Sequence, residues 1–290
     1  MDWARDLPGW PNAALSHRVR HATHLWHVQE DGSGETVLLL HGAGGSSHSW
    51  RDLLPRLARH RHVIALDLPG QGFTRTSNPA RLGLDPMTED IAALCADQGW
   101  TPGAVIGHSA GGAIALNLAR HLSRPDGTPP RVIGINAALD RFEGIAGWLF
   151  PVLAKMLALN PFTATLFTLG SRETDRARRL IEGTGSQIDA AGLACYARLI
   201  ADRAHVEATL QMMARWNIDR LIARLPEIPA RCLLITGAAD TAVLPAVSAR
   251  AAERLPDART VDMDGLGHLA HEEAPDRVLA EISGFLDDAG

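Results

Sequence analysis

The sequence predicts an α/β protein with a mostly parallel central sheet, flanked by helices and interrupted by one helical insertion. Two observations support this prediction. Short apolar runs alternate with helical patterns along most of the 290 residues, which is typical of parallel βαβ construction. A long stretch past the middle, residues 138–225, has helical patterns but no convincing strand.

Seven segments have the apolar and β-branched composition of strands. The run at Thr36–Leu40 is the clearest, because an unbroken apolar run is typical of a parallel strand buried on both faces. The predicted strands are Leu25–Gln29, Thr36–Leu40, Val63–Leu66, Ala104–Ile106, Arg131–Ile135, Cys232–Ile235 and Ala258–Met263.

The insertion separates the fifth predicted strand from the sixth. It contains helical patterns at Arg176–Glu182 and Gly192–His205. Insertions at the carboxyl ends of strands commonly cover active sites. We therefore expect one core domain, residues 1–137 and 226–290, interrupted by a helical cap at 138–225.

Composition excludes some classes of function. The 28 basic and 33 acidic residues give a formal charge of −5, which argues against nucleic acid as a partner. Cys95, Cys195 and Cys232 are odd in number and form no C-x-x-C pair, so a reducing cytosol fits better than a disulfide framework. The polar N-terminus does not have the pattern of a signal peptide. We expect a cytoplasmic protein.

One apolar run, Gly144–Leu159, raises the question of a membrane. It carries Lys155, contains Pro151 and is shorter than the roughly 18 residues that a spanning helix needs. We interpret it as a buried or lid helix. The alternative is a surface that contacts a membrane or an apolar ligand, which would make the protein peripheral to the membrane.

Ser109 is the candidate nucleophile. It lies in Gly107-His108-Ser109-Ala110-Gly111, a G-x-S-x-G motif between a predicted strand and a helical pattern at Gly112–His121. That strand–turn–helix context is the one the motif requires, because a sharp turn exposes the hydroxyl near a helix N-terminus. An ordinary glycine-rich turn is the less specific alternative.

A serine hydroxyl needs a base, and the base needs an acid to orient it. His268 follows the last predicted strand between flanking glycines, and His271 is its rival. Asp240 follows the strand at Cys232–Ile235, and Asp140 is the alternative acid. The flanking glycines favour His268 over His271, because they suit a loop that projects the imidazole toward the strand ends. Asp240 and His268 also follow Ser109 in the order nucleophile, acid, base that this G-x-S-x-G context predicts.

The loop His41-Gly42-Ala43-Gly44-Gly45 comes directly after a predicted strand and has two interpretations. As an oxyanion loop, it would supply the N–H of Ala43 alongside that of Ala110, with Gly44 as a weaker candidate. As a dinucleotide fingerprint it would need a third glycine where Ser47 stands. The second interpretation also leaves Ser109 unexplained, so we favour the first.

No motif indicates a metal or a cofactor. His21, His24 and His27 recur every third residue, but no cysteine or carboxylate near them completes a ligand set. A phosphate-binding G-x-x-x-x-G-K-[ST] motif does not occur. We therefore expect neither.

Taken together, these motifs resemble the α/β-hydrolase superfamily over nearly the whole chain. A narrower resemblance is to the magnesium-chelatase accessory proteins of bacteriochlorophyll biosynthesis clusters. Its specific segments are His48–Leu53, Gly107–Ile114, Gly183–Ser186, Met212–Trp216 and Gly265–Glu273. This resemblance implies a phototrophic bacterium and a role near magnesium insertion into protoporphyrin, but supplies no reaction.

Two functions are therefore expected. The first is a serine hydrolase that cleaves an apolar ester through an acyl–Ser109 intermediate. The second is a non-catalytic accessory protein that holds a tetrapyrrole-related ligand for magnesium chelatase. The intact Ser109, Asp240 and His268 favour the enzyme, whereas the narrower resemblance favours the accessory protein.

Overall fold

The structure is a computed structural model that describes residues 1–140 and 173–288. Nine strands lie within these ranges and form one sheet, in the order β1-β2-β4-β3-β6-β7-β8-β9, with β5 paired to β2. Their bounds are β1 Ser16–His21, β2 His24–Asp31, β3 Thr36–Leu40, β4 His62–Leu66, β5 Arg75–Thr76, β6 Pro102–His108, β7 Arg131–Ile135, β8 Cys232–Gly237 and β9 Ala258–Met263.

The sheet is parallel from β4 to β9, and only the β1–β2, β2–β4 and β2–β5 pairs are antiparallel. The predicted mostly parallel sheet is therefore confirmed. All seven predicted strands occur, and three of them have the predicted bounds. The strands β3, β4, β6, β7 and β8 are recognisable because both of their faces are buried, which selects near-continuous apolar runs. Strand β9 lies at the edge of the sheet and is mostly exposed.

Helices cover the sheet on both sides. Those outside the insertion are α1 Trp3–Asp6, α2 Leu53–Leu57, α3 Leu84–Gln98, α4 Ala110–Leu118, α9 Pro245–Ala252, α10 Ala270–Glu273 and α11 Pro275–Asp287. Alternate residues of β3 show the two layers, because Leu38 packs with α3 and α4 while Leu39 packs with α2 and α11. This is the period-two alternation of a strand with two buried faces.

Between β7 and β8, the described residues form four helices: α5 Glu173–Glu182, α6 Ala190–Ala201, α7 Arg203–Arg215 and α8 Asp219–Arg224. We call them the inserted helices. The helical pattern predicted at Gly192–His205 is two helices rather than one. The break falls at Asp202, whose side chain accepts a hydrogen bond from the His205 N–H and so caps the second helix. The boundaries 138–225 of the cap stay a prediction.

The described residues test one of the two predictions about membranes. None of the helices in the described ranges is long and apolar enough to cross a bilayer. The apolar run Gly144–Leu159, for which a membrane contact is the alternative interpretation, lies outside the described residues.

Strand β1 was missed because its sequence, Ser-His-Arg-Val-Arg-His, lacks an apolar pattern. It lies at the edge of the sheet, and Val19 is its one buried side chain. Charged residues are common on edge strands, where they discourage pairing with other chains.

Candidate active site

Ser109 lies at the turn between β6 and α4, with φ +51° and ψ −116°. A non-glycine residue rarely adopts a positive φ, and holding one costs on the order of 1–3 kcal/mol. The surrounding backbone holds Ser109 in place, because its N–H donates to Ile135 O at 3.0 Å and its O accepts from Gly112 N at 3.0 Å. The turn therefore projects the serine from the carboxyl end of the sheet.

The glycines of the motif are required by close backbone contacts. A Cβ on Gly107 would lie 2.1 Å from Gly111 O, and a Cβ on Gly111 would lie 2.1 Å from Leu40 O. A side chain at Gly107 would push α4 away from β6, and a side chain at Gly111 would push α4 away from β3. Either change would move Ser109. The motif thus serves packing at the turn as well as chemistry.

Two amides of the loop after β3 are already hydrogen bonded within the protein. The Gly44 N–H donates to Gln71 Oε1 at 2.7 Å, and the Gly45 N–H donates to Gly42 O at 3.0 Å. Within residues 1–140 and 173–288, the Ala43 N–H makes no such bond. Of the two candidates in this loop, the geometry favours Ala43 over Gly44.

Ala110 supplies the matching amide. It is the first residue of α4, and the first amides of a helix have no partner within the helix. The helix dipole adds a partial positive charge at this end. An oxygen near Ser109 could therefore meet the amides of Ala43 and Ala110, as our expectation for an oxyanion hole requires.

The candidate acid and base are in contact. His268 Nδ1 lies 2.7 Å from Asp240 Oδ2, and the Asp240 side chain is completely buried. Asp240 Oδ1 also accepts from the N–H groups of Ala242 and Val243, at 2.7 and 2.9 Å. Because a carboxylate only accepts, His268 carries its proton on Nδ1. This leaves Nε2 as a proton acceptor.

Two residues that sequence reasoning missed hold the histidine loop. Asn136 Nδ2 donates to His268 O at 2.7 Å, and its Oδ1 accepts from Gly237 N at 2.7 Å. His108 Nε2 also donates to His268 O, at 2.9 Å. Burial holds the pKa of His108 well below its usual range, so its ring is neutral. A polar residue after a strand was the only signal that could have identified Asn136.

The segment Gly183–Ser186, at the end of α5, links the acid loop to the histidine loop. Thr184 O accepts from Thr241 N at 3.3 Å and from His268 N at 3.4 Å. Ser186 Oγ accepts from Leu269 N at 2.8 Å. The narrower resemblance included this segment, and its contacts show how part of the insertion supports the candidate site.

A cavity of about 300 Å³ opens beside Ser109 and His268. Its lining is mainly apolar, and Arg176 is the one permanently charged side chain that the described residues contribute to it. Six aliphatic residues line it: Leu180, Ile181, Ile200, Val206, Leu210 and Leu269. Five of the six lie on the inserted helices, so these helices determine what the cavity accepts.

The two rival residues lie in other surroundings. Asp140 forms an ion pair with Arg250. His271 Nε2 lies 2.7 Å from Ser49 Oγ, and burial lowers the pKa of His271 to about 3. Only His268 of the two histidines lines the cavity.

Ser109 and His268 line the same cavity, but no hydrogen bond joins them among the described residues. Catalytic hydrogen bonds are often long before substrate binds and tighten afterwards.

Groups of three or more metal-ligating side chains do not occur within the described ranges.

Comparison with known proteins adds three findings. Residues 37–281 match the model of the alpha/beta hydrolase family. A Rhodobacter capsulatus protein named magnesium-chelatase 30 kDa subunit is 47% identical over 98% of this chain and 99% of its own length. A pimeloyl-[acyl-carrier protein] methyl ester esterase of Neisseria meningitidis serogroup A is 30% identical, over 87% of this chain and 78% of its own.

Solved structures give the same fold. The crystal structure of an alpha/beta hydrolase fold protein from Burkholderia ambifaria matches with a TM-score of 0.75 at 21% identity, covering 92% of this chain and 97% of that one. Both resemblances drawn from the sequence motifs are confirmed, the broad one by the family match and the narrower one by the Rhodobacter relative.

Proposed function

We propose that this chain, which belongs to the alpha/beta hydrolase family, is a serine hydrolase that cleaves an ester of an apolar acid. One observation carries the proposal. A buried Asp240–His268 pair, 2.7 Å apart, opens onto the same apolar cavity as a serine held at a strained turn. Each of the three residues is in a position suited to one step of acyl transfer.

In the first half-reaction, the Ser109 hydroxyl attacks the ester carbonyl carbon while His268 Nε2 takes the hydroxyl proton. Asp240 stabilises the imidazolium that forms. The carbonyl oxygen gains the negative charge and receives hydrogen bonds from Ala43 N and Ala110 N. The carbon–oxygen bond to the alcohol then breaks, and His268 returns the proton to that alcohol.

In the second half-reaction, water replaces the alcohol. His268 takes a proton from the water as the water oxygen attacks the acyl carbon. The same two amides bind the second tetrahedral oxyanion, the bond to Ser109 breaks, and the serine regains its proton from His268. The products are the free acid and an unchanged enzyme.

The cavity favours an acyl group of intermediate size. Its volume of about 300 Å³ lies at the lower end of the range of ligand pockets. Burying aliphatic carbon is worth roughly 0.8 kcal/mol per methylene. A hexanoyl ester has four more methylenes than an acetyl ester, so we expect kcat/KM to rise on the order of 100-fold if all four are buried.

A fluorophosphonate probe tests the proposal directly, since it reacts with an activated serine. Wild type should be labelled once, at Ser109, and hydrolyse p-nitrophenyl hexanoate. Ser109→Ala and His268→Ala should lose both properties. Labelling at another residue, or labelling that survives His268→Ala, would contradict the proposal.

A second candidate function rests on the Rhodobacter relative, whose name places it with magnesium chelatase. In this alternative the chain is an accessory protein that binds a porphyrin for the chelatase, and hydrolysis is secondary or absent. Contact with a membrane surface through residues 144–159 belongs to this alternative.

The Ser109→Ala variant separates the two functions. Magnesium insertion into protoporphyrin would be measured with purified chelatase subunits, in the presence of wild type or Ser109→Ala. A stimulation that needs Ser109 supports the hydrolase. Equal stimulation by both proteins, together with quenching of protoporphyrin fluorescence by both, supports the accessory protein.

A further inference from the structure

His205 connects an inserted helix to two loops of the core. It lies in the first turn of α7, is 2% exposed, and lines the cavity beside Ser109. Its Nδ1 lies 3.0 Å from the Gly72 N–H, and its Nε2 lies 3.1 Å from Gly44 O. One side chain thus spans the loop after β3 and the loop after β4.

The partners of the ring fix its protonation. A backbone N–H can only donate, so Nδ1 accepts from Gly72 and Nε2 carries the proton that it donates to Gly44 O. Burial lowers the pKa of His205 to about 4, which keeps the ring neutral near pH 7. Both hydrogen bonds therefore form in the protonation state that predominates at neutral pH.

Gly44 is held on both of its backbone sides. Its O accepts from His205, and its N–H donates to Gln71 Oε1 at 2.7 Å. Gln71 Nε2 lies 3.1 Å from the sulfur of Met212, a second residue of α7. The two peptide groups that come after Ala43 are therefore fixed by contacts that depend on α7.

This restraint acts next to the candidate oxyanion donor. The amide of Ala43 is one residue before Gly44, and its direction depends on the backbone angles of the loop. Oxyanion donors work by being held in place before charge develops, so a loop that can rotate loses most of their effect. Helix α7 would thus influence the chemistry through hydrogen bonds as well as through cavity shape.

We propose that His205 is a positioning residue, which holds the Ala43–Gly44 segment in the orientation that binds the oxyanion. The inference rests on the proposed hydrolase. It implies that the oxyanion hole is complete only while α7 is seated on the core. Access to the cavity and assembly of the site would then be coupled through one side chain.

The experiment compares His205→Phe with wild type on p-nitrophenyl hexanoate. Phenylalanine keeps a planar ring of similar size but loses both hydrogen bonds. We expect kcat to fall about 10- to 100-fold with KM nearly unchanged, since a lost oxyanion donor costs about 10²–10³ and a misplaced one costs less. His205→Gln retains a donor for Gly44 O and should recover part of the loss.

Val206→Ala is the matched control. It changes the next residue of α7, removes apolar surface from the cavity and removes no hydrogen-bonding atom. We expect the opposite pattern, a higher KM for the hexanoyl ester with kcat within about twofold. A lower kcat in His205→Phe and a higher KM in Val206→Ala would separate positioning from cavity shape.

An inhibitor that forms an oxyanion gives a second readout. A trifluoromethyl ketone adds to serine and leaves a negative oxygen, whereas 1-hexanol fills the cavity without a carbonyl or charged oxygen. His205→Phe should weaken ketone binding by about the same factor as kcat and leave 1-hexanol binding unaffected. Gln71→Met, which frees the Gly44 N–H from the other side, should act in the same direction.

Two outcomes would overturn the inference. One is a kcat and ketone affinity in His205→Phe equal to those of wild type. The other is an equal loss of ketone and 1-hexanol binding that His205→Gln does not recover. Failure of the proposed function looks different, because wild type and Ser109→Ala would then hydrolyse the ester equally.

Discussion

The described residues contain two Ser–His–Asp arrangements whose His–Asp distances are both 2.7 Å but whose surroundings differ. Besides Asp240 and His268 near Ser109, a second set lies along β2. There Asp67 Oδ2 is 2.7 Å from His27 Nδ1, and His27 Nε2 is 3.0 Å from Ser16 Oγ. In hydrogen-bond terms, the second set is the more complete of the two.

The two serines differ in their backbone conformation and in their place relative to the next element. Ser109 has a positive φ and directly precedes α4, whose first amides have no partner within the helix. Ser16 has extended backbone and begins a strand, and its Oγ accepts a further hydrogen bond from Gln29 at 3.2 Å. A serine, a histidine and an aspartate in line therefore do not make a nucleophile without oxyanion donors and a cavity.

The second set is better explained by structure. Asp67 accepts from the N–H groups of Ser47 and Phe73, at 2.6 and 2.7 Å, in addition to His27. Burial opposes ionisation of Asp67, but His27 and these amides hold the pKa of its carboxyl below the usual range. The charged group thus fastens the loop after β3 to the loop after β4.

The serines give the largest expected contrast. Ser109→Ala should lower ester turnover by about 10⁴-fold or more, because the nucleophile is lost. Ser16→Ala should leave turnover within about twofold. Mass spectrometry of phosphonate-treated protein measures the same contrast. A labelled peptide that contains Ser16 would show that both serines react as nucleophiles and would contradict the distinction between the two arrangements.

The aspartates should separate activity from stability. Both Asp240→Asn and Asp67→Asn break a buried pair and should cost about 3 kcal/mol of stability, measured by urea unfolding. Only Asp240→Asn should also cut the kcat of the folded enzyme, by about 10⁴, since an amide favours the wrong tautomer of His268.

Asp140→Asn is the control for the choice of acid, and we expect it to change kcat by less than about threefold. A larger loss of kcat from Asp140→Asn than from Asp240→Asn would show that the acid lies at the other strand end.

Acid should destabilise the fold through histidines that line or flank the catalytic region. Burial lowers the pKa of His205 to about 4 and that of His271 to about 3. The unfolded chain protonates these histidines near pH 6.5, whereas the folded chain does so only at lower pH. The free energy of unfolding is therefore highest above pH 6.5 and decreases as the pH falls toward 3. Each histidine lowers it by about 1.4 kcal/mol for every unit by which burial lowers its pKa.

Thermal melts between pH 7 and pH 4 would measure this loss. His205→Phe should show a shallower slope than wild type over this interval, because one of the titrating groups is gone. An identical slope in both proteins would mean that His205 does not titrate differently in the folded and unfolded states.

The smallest expected effect concerns the link from the insertion to the histidine loop. Ser186→Ala removes the acceptor for Leu269 N and should lower kcat by about three- to tenfold, because the loop next to His268 gains freedom. Ser186→Thr keeps the oxygen and serves as the control. Loss of melting temperature without loss of kcat would assign Ser186 to packing alone.

Sequence by itself determined the central architecture and the candidate nucleophile, acid and base. Buried parallel strands leave apolar runs, and the turn at Ser109 needs glycines at fixed spacing, so both are visible locally. The order of Ser109, Asp240 and His268 reflects the order of the strands that carry them.

Tertiary structure alone decided which polar residues support that site. Asn136, Ser186 and His205 contact partners 83 to 161 residues away in the chain. A polar side chain in a loop or on a helix gives no sign of its partner, because the hydrogen bond exists only after distant segments meet. The pair His27–Asp67 was not predicted for the same reason, because its two residues meet only when β2 lies beside β4.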